Sequence, residues 1–256
     1  MKNTPKASAS GLLLLGLFLG IAMVLSAYVV STTLLRIKAA NEKITVKGFA
    51  EKRVVSDVAV WTGKVVTRSH DLKSAYEKLE KDIARVLDYL KGHGIEPDDM
   101  ETSSVTTMTR YKQTEKGMAT NEVAGYILEQ RIEVNSDDVR LISKLSKEST
   151  SLIREGIEFM SFPPRYYSSK FDEIKIDLIG AATRNARQRA DQFADNSGVK
   201  VGSLASASQG VFQVTPVHST EISGYGRYDT STIEKSVKAV VTITYSVSRE
   251  LEGWIR

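Results

Sequence analysis

LKSAYEKLEKDIARVLDYLKGHGIEPDDMETSSVTTMTRY, residues 72–111, contains both kinds of regular structure in one run. Leu72, Tyr76, Leu79, Ile83, Val86, Leu87 and Leu90 recur at three- and four-residue spacing, with Glu and Lys on the opposite side. That pattern predicts an amphipathic helix. Ser69 or Asp71 is placed to cap its start, and Gly92 or Gly94 to take the left-handed position after its end. From residue 102 to 111 the composition turns to Thr, Val and Tyr, which suits a strand. Nothing here resembles the long apolar runs of strands in a parallel sheet. An α+β fold follows, with mainly antiparallel sheets and packed helices.

Working outward, the N-terminal side shows a strand at 44–48, where apolar and polar residues alternate, and a second at 58–66. The polar stretch Glu51-Lys52-Arg53 separates them. On the C-terminal side a loop with Gly117 leads to a strand at 126–134, forming a hairpin with 102–111. Asp137 is expected to cap a second helix that turns Val139, Ile142 and Leu145 inward. A short strand at 157–162 is closed by Pro163-Pro164. A long helix at about 172–196 has Phe171, Ile174, Leu178, Ala182, Ala186, Ala190 and Phe193 on one side. Its alanines, four apart, leave a shallow groove that lets it sit close to a sheet. Gly198 ends it, and strands at 203–214 and 237–247 follow. The loop between them, 215–235, is long for a compact domain and is a candidate interaction surface, carrying Tyr225, Arg227 and Tyr228. Both long helices pass through a Gly-apolar step, Gly94-Ile95 and Gly198-Val199, into a strand, a weak internal similarity.

Ahead of this lies GLLLLGLFLGIAMVLSAYVVSTTLL, residues 11–35, without one charge. As a helix it spans about 37 Å, enough for a hydrocarbon core of about 30 Å. A cleaved signal peptide has an apolar region of about 7–15 residues before a small-x-small site. Gly20-Ile21-Ala22 offers such a site, but the apolar run continues well past it, which favours a retained signal anchor. Flanking charges are nearly balanced, with Lys2 and Lys6 before and Arg36, Lys38 and Lys43 after. The larger C-terminal part is the natural translocated portion. The expected organisation is a cytoplasmic tail at 1–10, a transmembrane anchor at 11–35 in the lipid bilayer, a linker at 36–43, one α+β domain at 44–248 and a tail at 249–256. That places a single-pass protein in the inner membrane with its domain in the periplasm or outside the cell, the alternative being a cleaved, soluble periplasmic form.

Chemistry-bearing motifs are scarce in the chain. The chain has no cysteine, so disulfides, thiol nucleophiles and thiolate metal sites are excluded. Its 35 basic and 31 acidic residues are well mixed, without the dense cationic stripe that nucleic-acid binding favours. The densest group, Arg184, Arg187 and Arg189, reads as a solvated helix face beside Asp191 and Asp195. His70, His93 and His218 are isolated, not spaced like H-E-x-x-H, and suit surface or capping roles. Phosphate-loop and serine-elbow motifs are absent, and Gly224-Tyr225-Gly226 is half of a dinucleotide fingerprint without its strand and helix. Asp98-Asp99, after Pro97, reads as turn chemistry. No catalytic, cofactor or metal site is expected; an enzyme would need dispersed groups such as His93, Asp98 and Glu101 brought together. The aromatic group Phe159, Phe162, Tyr166, Tyr167 and Phe171 reads first as core with a Pro-Pro turn. Phe162, Tyr166 and Tyr167 are also candidates for an exposed anchor patch, because such residues are favoured at interfaces.

Three stretches resemble the SIMPL-domain family of bacterial envelope-associated proteins: ITVKGFAEKRVVSD (44–57), LKGHGIEPDDMETSSV (90–105) and NARQRADQFADNSGVKVGSLASASQG (185–210). Ser56 stands where the pattern would place proline before Asp57. The resemblance implies an α+β fold, exported or membrane-tethered, with self-assembly into a homo-oligomer, an envelope partner and a link to stress tolerance. It supplies no catalytic residues. The reading that follows is a non-enzymatic binding or assembly module. Its runner-up is a small-ligand or peptide-binding protein using the 215–235 loop.

Overall fold

The computed structural model describes residues 9–40, 42–219 and 223–249. In chain order these form α1 (Ala9–Ala40), β1 (Lys43–Val55), β2 (Val58–Ser69), α2 (Leu72–Gly92), a 3-10 turn (Pro97–Asp99), β3 (Met100–Thr102), β4 (Thr106–Gln113), β5 (Ala119–Ser136) and α3 (Val139–Glu148). There follow a second 3-10 segment (Ser149–Glu155), β6 (Glu158–Ser161), β7 (Arg165–Tyr167), α4 (Phe171–Ser197), β8 (Val199–Gln209), β9 (Gln213–Pro216), β10 (Arg227–Tyr228) and β11 (Glu234–Arg249). The fold is α+β with mostly antiparallel pairing. The expected tails at 1–10 and 249–256 lie largely outside the described residues. The helix α1 runs on through Ala40, across most of the stretch expected as a linker.

The chain divides into two compact units, one of residues 51–178 and 211–239, the other of residues 1–50, 179–210 and 240–256. In the first, a six-stranded sheet runs β3-β5-β2-β6, with β4 also on β5 and β7 also on β2. The spine is the antiparallel β2–β5 pair, in register from Ala59↔Ser136 to Ser69↔Tyr126. Alternation sends Ala59, Trp61, Val65, Leu128, Ile132 and Val134 to one face, where they are buried with Leu79, Ile83, Val86 and Leu90 of α2 and Ile142 and Leu145 of α3. Asp71 caps α2 by accepting from the Ser74 amide at 2.8 Å, and Gly94 supplies the left-handed residue with φ +89°. Leu72 and Tyr76, expected in the inner stripe, are exposed; Ala75 takes the inner place one residue earlier, so the stripe is rotated. Asp138, not Asp137, caps α3, accepting from the amides of Arg140 and Leu141 at 3.1 and 2.8 Å.

The polar stretch Glu51-Lys52-Arg53 does not separate two strands as expected; it lies inside β1. The expected strand at 102–111 is two strands, β3 and β4, split at residues 103–105. The loop 215–235, whose residues 220–222 are outside those described, contains β10, which pairs parallel with β9 at Arg227↔Gln213. The same β9 pairs antiparallel with β11 from Lys235↔Pro216 to Lys238↔Gln213.

In the second unit, β11 pairs antiparallel with β8 from Val241↔Gln209 to Arg249↔Val199, and the hydroxyls of Thr45 on β1 and Thr244 on β11 are 2.9 Å apart. Ala182, Ala186 and Ala190 of α4 are buried with Val46, Val241, Ile243 and Tyr245. The close approach that the alanine groove suggests is real. A Cβ on Gly48 would fall 2.0 Å from the Ala182 carbonyl oxygen and 2.8 Å from the Ala186 Cβ, so only glycine fits. Phe193 is exposed, because Ala194 occupies the last inner position of that side. Gly198, at φ +65°, ends α4. Within α1, the segment Gly16–Leu34 is long and apolar enough to cross a membrane, and none of it is buried against the rest of the chain.

Candidate functional site

Each predicted surface residue has a definite place. Tyr166 corrects the expectation for it: alternation along β7 turns it into the core of the first unit at 5% exposure, and its amide donates to the Thr230 carbonyl at 2.7 Å. It cannot serve as an exposed anchor. Its neighbour Tyr167 faces the other way, half-buried. Phe171 and Tyr228 meet edge to face with centroids 5.0 Å apart, and the Lys175 ammonium lies 4.5 Å from the Phe171 centroid. Burial pushes the Tyr228 phenol up, an effect that Lys175 opposes and that Tyr167 and Asp172 reinforce. Tyr167, Phe171 and Tyr228 therefore gather in one place. Among the described residues Phe162 and Tyr225 make no ring contact with them. Tyr225 projects fully into solvent, at 100% exposure, and Phe162 is held by its amide, which donates to the Thr62 carbonyl at 3.0 Å. Arg227 lies beside Tyr228 in β10.

The histidines do not converge. His70 Nδ1 is 2.8 Å from the Ala124 carbonyl, and His93 Nδ1 is 2.7 Å from the Tyr89 carbonyl with its ring packed at a tilt against Tyr89. Asp98 and Asp99 sit in the 3-10 turn, as the local chemistry of Pro97 predicts. Glu101 lines a different feature, and His93 and Asp98 do not line it with Glu101. Among the described residues no three His, Asp or Glu side chains are close enough to hold a metal ion.

Among the polar concavities of the first unit, two bring acidic and basic side chains together. One, of about 380 Å³, lies on the open sheet face and is lined by Thr62, Glu101, Ser103, Arg131, Glu133 and Arg165. Strand pairing puts Glu101 directly opposite Glu133, an arrangement that like charges disfavour. Arg165 compensates at 3.6 Å from Glu133. The same face continues with the part-buried ion pair Lys64–Glu129 and the exposed pair Arg68–Glu158, so a charge-laced sheet surface accounts for it.

The other concavity, of about 560 Å³, is lined by Glu51, Arg53, Val217, His218, Ser219 and Lys238. Its construction is unusual. The Ser219 amide donates to the Pro216 carbonyl at 3.1 Å, closing a tight turn whose third residue, His218, has φ +69°. That position favours Gly or Asn, and a histidine there costs on the order of 1 kcal/mol or more. Beside it, Gln213 Nε2 donates to the Ser223 carbonyl at 2.6 Å and the Ser223 amide donates back at 3.3 Å. Lys238 Nζ donates to the Ser219 carbonyl at 2.9 Å, and the Ser236 hydroxyl donates to Glu51. Gln213, Thr215 and Ser236 are all buried on this face, and among the described residues the Thr215 hydroxyl has no partner.

Two carboxylates brace the neighbouring chain. Burial raises the Asp57 carboxyl, yet the Ser169 hydroxyl and amide, each 2.7 Å away, together with Lys170, hold it below the usual carboxylate value. Ser56, before it, donates its amide to the Ile233 carbonyl at 2.8 Å, a bond that proline would lack. Burial likewise raises Asp229, but Thr232, Ser231 and Lys235 outweigh it and its carboxyl stays low. Burial lowers the Lys235 ammonium more than Asp229 can restore.

The site is thus a set of polar surface features on an α+β scaffold behind an N-terminal apolar helix, and the protein is of that class. The chain belongs to the SIMPL family, described as a protein of unknown function (DUF541), which it matches over residues 44–247. It is also similar to the "Uncharacterized protein YggE" of Edwardsiella ictaluri (strain 93-146), 25% identical over 186 residues that cover 70% of this chain and 72% of that protein. The resemblance read from the three sequence stretches is borne out. Sequence reasoning missed Arg53 and Lys238. They lie on different strands, β1 and β11, and only the meeting of distant segments places them at one concavity.

Proposed function

We propose that this protein is a non-enzymatic module of the cell envelope, held in the inner membrane by residues 11–35 with its folded part outside the cytoplasm, and working by oligomeric assembly. The observation that carries the tether is the segment Gly16–Leu34, apolar and wholly unburied. A core helix of a soluble protein would be covered; this one leaves side chains such as Leu17, Phe18 and Met23 open.

Assembly is supported by β8. Among the described residues it pairs with β11 alone, and from Gly202 to Gln209 every residue is exposed and none is charged. Soluble proteins blunt such edges with charge or proline. A second copy adding its own strand would satisfy the open backbone groups, and an envelope protein partner is the alternative occupant. A link to stress tolerance belongs to the same reading and rests on the resemblance.

The test is the mass of the full chain in detergent, by light scattering. A homo-oligomer that Ala205→Lys or Ala207→Lys converts to monomer is expected. A strict monomer at micromolar concentration would overturn the assembly reading.

A further inference from the structure

We propose that the concavity lined by Arg53, His218 and Lys238 is a binding site for a small oxyanion, a carboxylate or phosphate group. Three observations meet there independently.

The first is charge. Arg53, Lys238 and His218 come from β1, β11 and the turn after β9, and all line one hollow of about 560 Å³. Glu51 is the carboxylate among the lining residues, and the Ser236 hydroxyl donates to it. Among the described residues Arg53 makes no ion pair or side-chain hydrogen bond, so its fork of donors is open for a planar, two-oxygen acceptor. Lys238 spends one of its three donors on the Ser219 carbonyl.

The second is strain. His218 is the one non-glycine residue with positive φ among those described, in a turn position where glycine would be comfortable. Such strain persists where the surroundings over-determine it, and it clusters at ligand sites. The third is the floor. Gln213, Thr215 and Ser236 form a buried polar layer on the sheet face that Lys238 shares, and among the described residues Thr215 leaves a hydroxyl unpartnered. An apolar layer would serve stability better; a polar one suits a hydrated, charged guest.

The proposal is independent of the assembly reading, because the hollow and the β8 edge share no residue. It is tested by titration calorimetry on the full chain in detergent, with inorganic phosphate and succinate as separate probes. Saturable binding of one probe is expected, weakened about tenfold or more by Arg53→Gln and by Lys238→Gln. Arg131→Gln, which removes an arginine from the other concavity, should leave it unchanged. Preference for phosphate or succinate identifies the class of guest. His218→Gly separates ligand role from structural role: it should raise the melting temperature and weaken binding together. Should Arg53→Gln fail to fold, Arg53→Lys keeps the charge but loses the fork, and binding should still fall. The proposal is overturned if neither probe saturates, if Arg53→Gln and Lys238→Gln bind like the parent, or if His218→Gly melts higher with binding untouched.

Discussion

Asp229 and Lys235 retain only 10% and 4% of their side-chain surface, and the Lys235 ammonium also donates to the Asp229 carbonyl at 2.7 Å. Removing one partner of a buried pair strands the other, so Asp229→Asn should cost about 3 kcal/mol at neutral pH in denaturant unfolding. The sign of its pH dependence follows from the lowered carboxyl. A carboxyl lower in the folded than in the unfolded chain adds stability that is complete above its ordinary value of 3.8, and that stability drains away as pH falls through the folded value. The gap between Asp229→Asn and the parent should therefore be constant near neutrality and shrink on acidification below about pH 4. A gap that widened with acid would refute the assignment. Gly48 makes a second prediction. The nearest obstruction to a Cβ is the Ala182 backbone oxygen, which cannot swing aside, so Gly48→Ala should destabilise by about 1–3 kcal/mol. Neither effect was legible from residues alone: Asp229 looks like any loop aspartate, and Gly48 like a strand glycine. The alanine groove hinted at the second, because small residues four apart imply that something comes close.

At the level of elements, period and punctuation carried most of what was legible. The helices at 72–92, 139–148 and 171–197 were found because burial of one side repeats every three to four residues; Gly94 and Gly198 stop two of them, both left-handed, as the sequence predicted for the first. Exact caps were less legible, since two adjacent aspartates satisfy the same rule and only the backbone path chooses between them. Asp138→Ala should lower stability by about 1 kcal/mol while Asp137→Ala changes little, measured as paired thermal melts. The strands were harder. β1 runs through a charged stretch that looks like a turn, because an antiparallel sheet edge tolerates polar residues on its open side. β7 and β10, of three and two residues, are too short to leave a periodic trace, and they exist only because β2 and β9 offer partners.

At the scale of the whole molecule, the apolar helix makes the prediction with the widest reach. Residues 16–34 should hold the full chain in the membrane fraction, and N-terminal sequencing of the mature protein should find this segment retained rather than a start near residue 23. Added protease should reach the folded part in spheroplasts with an intact inner membrane. Resistance until the membrane is opened would reverse the orientation. The amino-acid sequence by itself determined the long apolar N-terminal segment, the α+β class and the family, since each depends on local hydrophobic character and period or on residue order. Which charges meet was decided only by tertiary structure. Arg53 and Lys238 are separated by most of the folded chain, and their approach depends on strand pairing and register that no local pattern encodes.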